Sequence, residues 1–153
     1  MAATAAYPFL NLRFRLSVDG REFGAFSECT GLSLEVATED YHEGGENQFV
    51  HKLPTFGQPP NLVLKRGITS SDELWNWFEE YLKTGTVTPK DGQVELLSTT
   101  DPDRHEEKAV RVWAFTRGWP VKWTGPELNA LSPGVAFETL ELVHRGLRVK
   151  PPQ

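Results

Sequence analysis

The stretch NLRFRLSVDG, residues 11–20, alternates apolar and polar side chains in the way that is typical of a half-buried strand. The apolar positions of the stretch are Leu12, Phe14, Leu16 and Val18. Asp19-Gly20 follows at once, and this dipeptide favours a two-residue hairpin turn because both of its positions accept a positive φ. The run REFGAFSEC then returns as a second strand, so this part of the chain predicts a β-hairpin.

A second, longer hairpin is predicted over about residues 32–54, with Gly44-Gly45 as its turn. A two-residue turn gives each arm about ten residues, which exceeds the usual five or six. Leu32, Leu34 and Val36 are predicted to share one face. The opposite face is mixed and fairly polar, and its predicted members are Glu35, Glu39, Tyr41, Gln48, Val50 and Lys52. A long exposed hairpin is an aggregation hazard unless something covers it, and closure with further copies of the chain removes that hazard.

One helix is predicted over about residues 71–84, in the run SSDELWNWFEEYLKTG. Ser70 is the predicted N-cap, with Glu73 three residues later as in a capping box. Gly85 predicts the C-terminal stop. The predicted apolar stripe consists of Leu74, Phe78 and Leu82, widened by Trp75 and Tyr81. This pattern is typical of a helix that packs on a sheet.

Further strand candidates are NLVLKRGI, GQVELLS, KAVRVWAFTRGWPVKW and the closing run VAFETLELVHRGLRV, which is predicted as one strand. The charged segment 99–108 is typical of a solvated loop, and residues 124–134 are too rich in Pro and Gly for regular structure. The total of about seven or eight strands and one helix predicts a mainly β fold, a sandwich or barrel with the helix packed on it. One domain is expected over residues 1–153, with residues 1–8 as an arm and 149–153 as a tail.

The bulk composition excludes several classes of protein. A net charge of −5 argues against a nucleic-acid groove, which needs clustered Lys and Arg. The single cysteine, Cys29, excludes an internal disulfide framework and is interpreted as a small buried hydrophobe. No run approaches the ~20 apolar residues of a membrane span, and the N-terminal residues lack a secretory signal pattern, so no integral membrane segment is expected.

The long hairpin also contains the raw material for a metal site, namely His42 and His51 with Glu39, Glu43 and Glu46 nearby. With a two-residue turn, however, the two histidines lie ~13 Å apart along the ladder. Ligands of one zinc ion each lie ~2 Å from it. The sequence therefore predicts no metal site.

Other chemistry is not indicated either. The sequence contains no P-loop, no GxGxxG and no GxSxG motif. Lys65 and Arg66 precede the helix and offer a weak anion-binding hypothesis. A charged segment packed against a neighbouring segment or chain is the preferred interpretation. We expect no catalytic residue, no cofactor and no small-molecule substrate.

Several stretches together resemble the inner tube proteins of contractile phage tails and of phage-tail-like extracellular contractile injection systems. They are FRLSVDG, FSECTGLSLEVATEDYHEGGENQFVHKLP, NLVLKRGITSSDELWNWFEEY, GWPVKWTGPELNA and ETLELVHRGL, and they occur in matching order from about Phe9 to Leu147. The resemblance implies two packed antiparallel sheets with one helix. It also implies hexameric rings that stack into a hollow tube inside a contractile sheath, without catalytic residues.

The resemblance further implies roles for particular residues. The segment 43–61 corresponds to the loop that reaches the next ring, with the candidates Glu43, Gly44, Gly45, Glu46, Asn47, Phe56 and Gln58. The candidates for lining the lumen are Glu35, Glu39, Tyr41, Gln48, Lys52, Thr139 and Glu141. The implied partners are further copies of the chain, a sheath protein, baseplate and cap proteins, and protein cargo in the lumen. Assembly is expected in a bacterial cytoplasm, into a particle that is extracellular after lysis or membrane-anchored.

Two other interpretations stay open at this stage. The chain fits a different part of the same kind of machine, either a baseplate-proximal tube initiator or a type VI secretion ring protein. The other interpretation is a small β-barrel enzyme or ligand-binding domain, which would be a monomer with a closed pocket.

Overall fold

The structure, a computed structural model, describes residues 13–45, 48–101, 106–131 and 134–151, where it has ten strands and one helix. The strands in chain order are β1 (Arg13–Val18), β2 (Arg21–Phe26), β3 (Glu28–Thr30), β4 (Ala37–Tyr41), β5 (His51–Thr55), β6 (Leu62–Gly67), β7 (Lys90–Asp101), β8 (Glu106–Thr124), β9 (Phe137–Val143) and β10 (Gly146–Lys150). The helix α1 (Glu73–Thr84) lies between β6 and β7. The predicted arm, Leu12, Glu46 and Asn47 lie outside the described residues.

Two antiparallel sheets form the body, and they share the 19-residue strand β8. The first sheet consists of β2, β1, β7, the first part of β8, and β10. The second sheet consists of β3, β6, β9 and residues 119–124 of β8. Arg117 lies where β8 passes between the sheets, with a φ of 50°, and its N–H donates to Asp91 Oδ1 at 2.8 Å. A locally positive φ bends the strand, so one strand serves both sheets.

The chain crosses between the sheets a second time at Ser27, between β2 and β3. Both the N–H and the hydroxyl of Ser27 donate to the Lys65 carbonyl, at 2.9 and 3.0 Å. The two crossings make the sandwich a flattened barrel around one core. Its fully buried side chains are Leu16, Val18, Leu62, Leu64, Leu74, Val94, Phe115, Leu140 and Leu142. The predicted fold class, a mainly β sandwich or barrel with one helix, is confirmed.

An ion pair is buried inside this barrel. Arg66 is 3% exposed, and its Nε donates to Glu138 Oε1 at 2.6 Å. Its remaining nitrogens donate to the carbonyls of Phe23 and Ser71, at 2.7 and 3.3 Å. Trp123 Nε1 donates to the other oxygen of Glu138 at 2.9 Å. Because every partner is supplied by the fold, β2, β6, β8, β9 and the approach to α1 are joined at one point.

The first predicted hairpin is confirmed, and the helix is confirmed with corrections. Asp19 and Gly20 have φ values of 50° and 73°, as a two-residue turn requires. The helix begins after Asp72 rather than Ser70, and no side chain caps it. It ends at Gly85, whose N–H bonds to the Tyr81 carbonyl.

The apolar stripe of α1 lies elsewhere than the sequence predicts. Leu74 and Trp77 are buried, whereas Leu82 is exposed. Trp77 packs against Phe23 at 5.5 Å between ring centroids, and Trp75 packs edge-on against Trp123 at 5.0 Å. The helix therefore contacts the barrel through its first two turns, so its last turn leaves Leu82 in solvent.

Three further sequence predictions are wrong, and they concern the closing strand, the tail and the charged loop. The closing run forms two strands, β9 and β10, which reverse at His144-Arg145 and join different sheets. Val149 and Lys150 belong to β10 instead of a tail. Most of the segment 99–108 continues β7 and β8 rather than forming a loop, because the two strands pair as far as Asp101 and Glu106.

The buried ion pair generates a stability prediction. Glu138→Ala leaves the Arg66 guanidinium buried without its carboxylate, and we expect it to lower the free energy of unfolding by about 3–5 kcal/mol. Urea denaturation of the dilute subunit measures this. The matched control is Glu79→Ala, which removes the exposed helical pair with Lys83 and should cost under about 0.5 kcal/mol. Equal, small losses for both variants would contradict the role given to the buried pair.

Candidate assembly surface

An excursion of the chain, residues 32–60, leaves the body between β3 and β6 and returns to the same place. Its root is narrow, because a Cβ placed on Gly31 would overlap the Asn61 carbonyl oxygen. Gly31 also has a φ of 89°, which favours glycine. On the return side, Asn61 Nδ2 donates to Glu141 Oε1 at 2.6 Å, and His144 Nε2 donates to the Pro60 carbonyl at 3.1 Å. Both ends of the excursion are therefore fixed to the second sheet.

The excursion contains the predicted long hairpin, but with a different register. Ala37 pairs with Thr55 and Tyr41 with His51, so the strands are five residues each and the loop between them spans residues 42–50. The predicted two-residue turn at Gly44-Gly45 is wrong, and the observed strand pairing is shifted by three residues from the pairing that such a turn would give. An odd shift exchanges the two faces of one strand relative to the other. Lys52 therefore lies opposite Asp40, on the other face from Glu39 and Tyr41.

This register also overturns the distance argument about the histidines. His42 follows Tyr41, which is the partner of His51, so the two histidines are near neighbours instead of ~13 Å apart. His51 Nε2 lies 3.4 Å from Glu43 Oε2. Within the part of the chain that the structure describes, no group of three potential ligand side chains comes together.

The hairpin exposes apolar side chains and stands apart from the body. In the described residues, β4 and β5 pair only with each other. The large apolar residues that remain exposed on the hairpin and the rest of the excursion are Leu34, Val36, Tyr41, Phe49, Val50, Leu53 and Phe56. An isolated two-stranded hairpin is at best marginally stable in water. Its composition is that of a surface which another chain covers.

The ring-stacking candidates that the structure describes all lie on this excursion. Phe56 is fully exposed, directly after β5, and Gln58 is exposed beside it. Gly44 and Gly45 form a turn at the tip, where only Gly45 has a positive φ, of 103°. Glu43 lies against His51. The described residues for which the resemblance implies contact with another ring therefore lie on one projecting segment.

The lumen candidates fall into two groups. Thr139 and Glu141 lie on the outer face of the second sheet, away from the core. The remaining five, Glu35, Glu39, Tyr41, Gln48 and Lys52, lie on the excursion and are exposed. Sequence reasoning missed the neighbours of Thr139 and Glu141 on the same face, namely Glu28, Lys65 and Lys122. Period-two alternation in β6 and β9 was the signal that could have found them.

This outer face is a mosaic of opposite charges. Lys65 Nζ lies 3.7 Å from Glu28 Oε2 and 4.8 Å from the centre of the Phe137 ring. Lys122 lies opposite Glu141 in the ladder between β8 and β9. Arg66 belongs to the barrel interior, so the hypothesis that Lys65 and Arg66 together attract an anion is wrong. Each of them already has a carboxylate partner.

The second sheet has two unpaired edges. Among the described residues, β3 pairs only with β6, and residues 119–124 of β8 pair only with β9. Each edge offers backbone N–H and C=O groups to a further strand. Cys29 lies in β3 beside one edge, and burial raises the pKa of its thiol to about 11. The thiol is therefore protonated at neutral pH, which agrees with its interpretation as a small hydrophobe.

A sequence profile of the T4-like virus tail tube protein gp19 family matches residues 10–148, which is most of the chain. The chain belongs to this family. No curated protein sequence matches this tail tube protein. Among its described residues, no helix has the length and apolar character needed to cross a bilayer.

Solved structures share the fold of this tail tube protein. A chain of the PVC extracellular contractile injection system sheath-tube complex in its extended state is 24% identical, with a TM-score of 0.78 and 99% of both chains covered. A chain of the six-fold symmetrised anti-feeding prophage baseplate is 26% identical, with a TM-score of 0.79 and coverage of 95% of this chain and 97% of that one. Hcp1 from Flavobacterium johnsoniae is 18% identical, with a TM-score of 0.52 and coverage of 92% and 96%.

The hairpin face generates a prediction that separates assembly from folding. Leu53→Ser removes an exposed apolar group, so the free energy of unfolding of the subunit should change by under about 0.5 kcal/mol while self-association falls. Leu64→Ser, at a fully buried position of β6, is the comparison and should cost about 3 kcal/mol or more. Denaturation and light scattering measure the two quantities. If the Leu53 variant associates as strongly as the unchanged protein, Leu53 is not part of the assembly surface.

The root of the excursion generates a second prediction. Gly31→Ala forces the new methyl group into the Asn61 carbonyl and strains the backbone, which we expect to cost at least about 2 kcal/mol in the free energy of unfolding. Gly44→Ala at the tip meets no atom within 4 Å and should cost under about 0.5 kcal/mol. Equal stability of the two variants in thermal and urea unfolding would contradict the close approach of Gly31 to the Asn61 carbonyl.

Proposed function

We propose that this tail tube protein is a structural subunit of the inner tube of a contractile tail or contractile injection system. Six copies close into a ring, rings stack into a hollow tube, and contraction of a sheath drives the tube through a target envelope. The proposal treats the whole chain as one tail tube domain. The observation that supports it most is the second sheet, with its four strands and two unpaired edges.

The polarity of that sheet suits closure into a ring. Its strands alternate in direction from β3 through β6 and β9 to β8, so its two edge strands run in opposite directions. Copies related by rotation present the β8 edge of one subunit to the β3 edge of the next. An even number of alternating strands makes each such seam antiparallel, like the pairings within the subunit. Pairing at the seam would remove both exposed edges.

The same geometry suggests which face lines the channel. Six four-stranded sheets give a barrel of about 24 strands. Porin barrels of about 16–18 strands already enclose a water-filled channel, so this barrel is wide enough to do the same. The inner face of each sheet packs on its own subunit's core, so the outer face is left for the lumen. We therefore propose that Thr139 and Glu141 face the lumen, together with Lys65 and Lys122. Glu35, Glu39, Tyr41, Gln48 and Lys52 remain candidates on the excursion.

The excursion supplies the second kind of contact. Its root follows β3, so it leaves the body at the seam with the neighbouring subunit. Its exposed apolar residues, Phe56 among them, would be covered by another copy in the same ring or the next. Glu43, Gly44, Gly45, Glu46, Asn47 and Gln58 remain candidates for this contact.

The proposal includes partners and no catalysis. Solved structures with this fold come from a sheath-tube complex, a tube-terminating cap and a baseplate, which supports sheath, cap and baseplate proteins as partners. They belong to extracellular particles or prophages by their descriptions, which suggests assembly in a bacterial cytoplasm and action outside it. Protein cargo in the lumen is part of the proposal. We assign no bond chemistry, cofactor or metal to the chain.

A second candidate within the same class is the ring protein of type VI secretion. The shared fold with Hcp1 favours it only weakly, because the identity is 18% and the TM-score 0.52. A baseplate-proximal initiator is the other relative. It would form rings that do not extend.

Negative-stain microscopy of the concentrated protein, beside size-exclusion chromatography with light scattering, tests the proposed function. We expect six-fold rings with a stained lumen, and stacks of rings at high concentration or on a baseplate template. Rings that never stack would favour the initiator or the secretion ring protein. A strict monomer, even with a template, would contradict the proposal.

A further inference from the structure

A shallow trough runs along the outer face of the first sheet. Two adjoining cavities of about 320 and 250 Å³ form it, and both have Gln93 and Lys150 in their linings. Its floor consists of small β8 side chains, among them Val112 and Ala114. Cationic side chains stand over this floor: Lys108, Arg148 and Lys150.

The trough has exposed cations without an ion-pair partner in the part of the chain that the structure describes. Lys108, Arg148 and Lys150 are exposed, and none of them forms an ion pair with a residue that the structure describes. Of the side chains that the structure describes, Glu95 lines this part and Glu22 lies near it, and Arg15 contacts both carboxylates, at 2.6 and 2.9 Å. Asp19 and Asp91 lie in the far cavity, and Asp91 accepts the Arg117 N–H. Lys108 and Lys150 make this end cationic, and Arg148 continues the same face of β10 two residues before Lys150.

One face of the hairpin has the complementary character. Glu39, Tyr41 and Leu53 share that face, because Glu39 pairs with Leu53 and Tyr41 with His51. Tyr41 and Leu53 are 54% and 50% exposed. Glu39 forms no ion pair within the described residues, and neither does Glu35 beside the hairpin. On the opposite face the charges cancel, since Lys52 Nζ lies 3.2 Å from Asp40 Oδ1.

We propose that the acidic, apolar hairpin face of one subunit docks in the cationic trough of a second copy. This rests on the proposed function and identifies the surface that receives the hairpin, and it assigns Glu35, Glu39 and Tyr41 to this contact instead of the lumen. Glu35 and Glu39 approach Arg148 and Lys150, while Tyr41 and Leu53 cover the small side chains of β8. The two surfaces are different parts of one chain, so the contact is heterologous. Repeated contacts of that kind close into rings or continue as helical stacks.

The location of the hairpin supports a second copy as the occupant. Its root follows β3, an unpaired edge at which the next subunit is proposed to join. Charge pairs across such a contact chiefly fix the choice of partner and the register. The proposal therefore implies that assembly weakens as salt screens the pairs.

Charge reversal with rescue tests the contact. We expect Arg148→Glu with Lys150→Glu to lower the assembled fraction by about tenfold or more at low salt, and Glu35→Lys with Glu39→Lys to do the same. All four changes in one chain restore the pairing of opposite charges across the contact and should recover most of the assembly. Arg21→Glu, an exposed cation on β2, is the matched control and should assemble as the unchanged protein does. Sedimentation and microscopy give the assembled fraction, and melting curves confirm that each variant folds.

A cross-link tests proximity directly, because the chain has one cysteine. In a Cys29→Ser background, Glu39→Cys with Arg148→Cys should give a ladder of covalent oligomers on mild oxidation, and either cysteine alone should not. Tubes without a ladder, or reversal variants that fold and assemble normally, would overturn the docking proposal and leave the tube function standing. In that case the trough is free for another occupant, such as a sheath protein. An unchanged protein that never assembles would overturn both.

Discussion

The buried pair of Arg66 and Glu138 is the interaction on which the rest of the structure depends. It lies inside the barrel, and its hydrogen bonds reach β2 through Phe23, β8 through Trp123, and the approach to the helix through Ser71. Removing two charges from water costs several kcal/mol per ion, so such a pair stabilises a fold only when its partners are complete. Here each polar group has a partner, so the pair fixes how the sheets and helix meet.

A rigid body of this kind leaves its unsatisfied features at the periphery. The second sheet ends in two unpaired edges, and the excursion carries apolar residues that its own subunit does not cover. Both features are costly for a lone subunit and both are removed by contact with further copies. The excursion is fixed at its root by Gly31, Asn61 and His144, so its hairpin is presented at a defined place. A well-bonded interior, together with unpaired strand edges and exposed apolar side chains at the periphery, suits a subunit of a larger assembly.

Local patterns predicted the local elements well. The alternation in β1 and the Asp19-Gly20 turn are confirmed, because pleat geometry and positive φ act within a few residues. The helix stop at Gly85 is confirmed for the same reason. The helix stripe was predicted less well, since burial of Trp77 instead of Leu82 depends on where α1 lies on the barrel.

Long-range features could not be predicted from the residues alone. Arg66 and Glu138 are 72 positions apart, and nothing local marks them as partners. The hairpin register failed because Gly44-Gly45 predicted a two-residue turn, whereas the loop spans residues 42–50. The edges of the second sheet emerged only from the complete topology. The resemblance of longer stretches to tube proteins, rather than any single motif, led to the family to which the chain belongs.

A helical reconstruction of the assembled tube at side-chain resolution would test the central claim most directly. The account predicts six-fold rings in which β3 of one subunit pairs antiparallel with residues 119–124 of β8 in the next. Thr139 and Glu141 should then face the lumen. Seams that leave both edges unpaired, or a channel lined by the first sheet, would contradict the account.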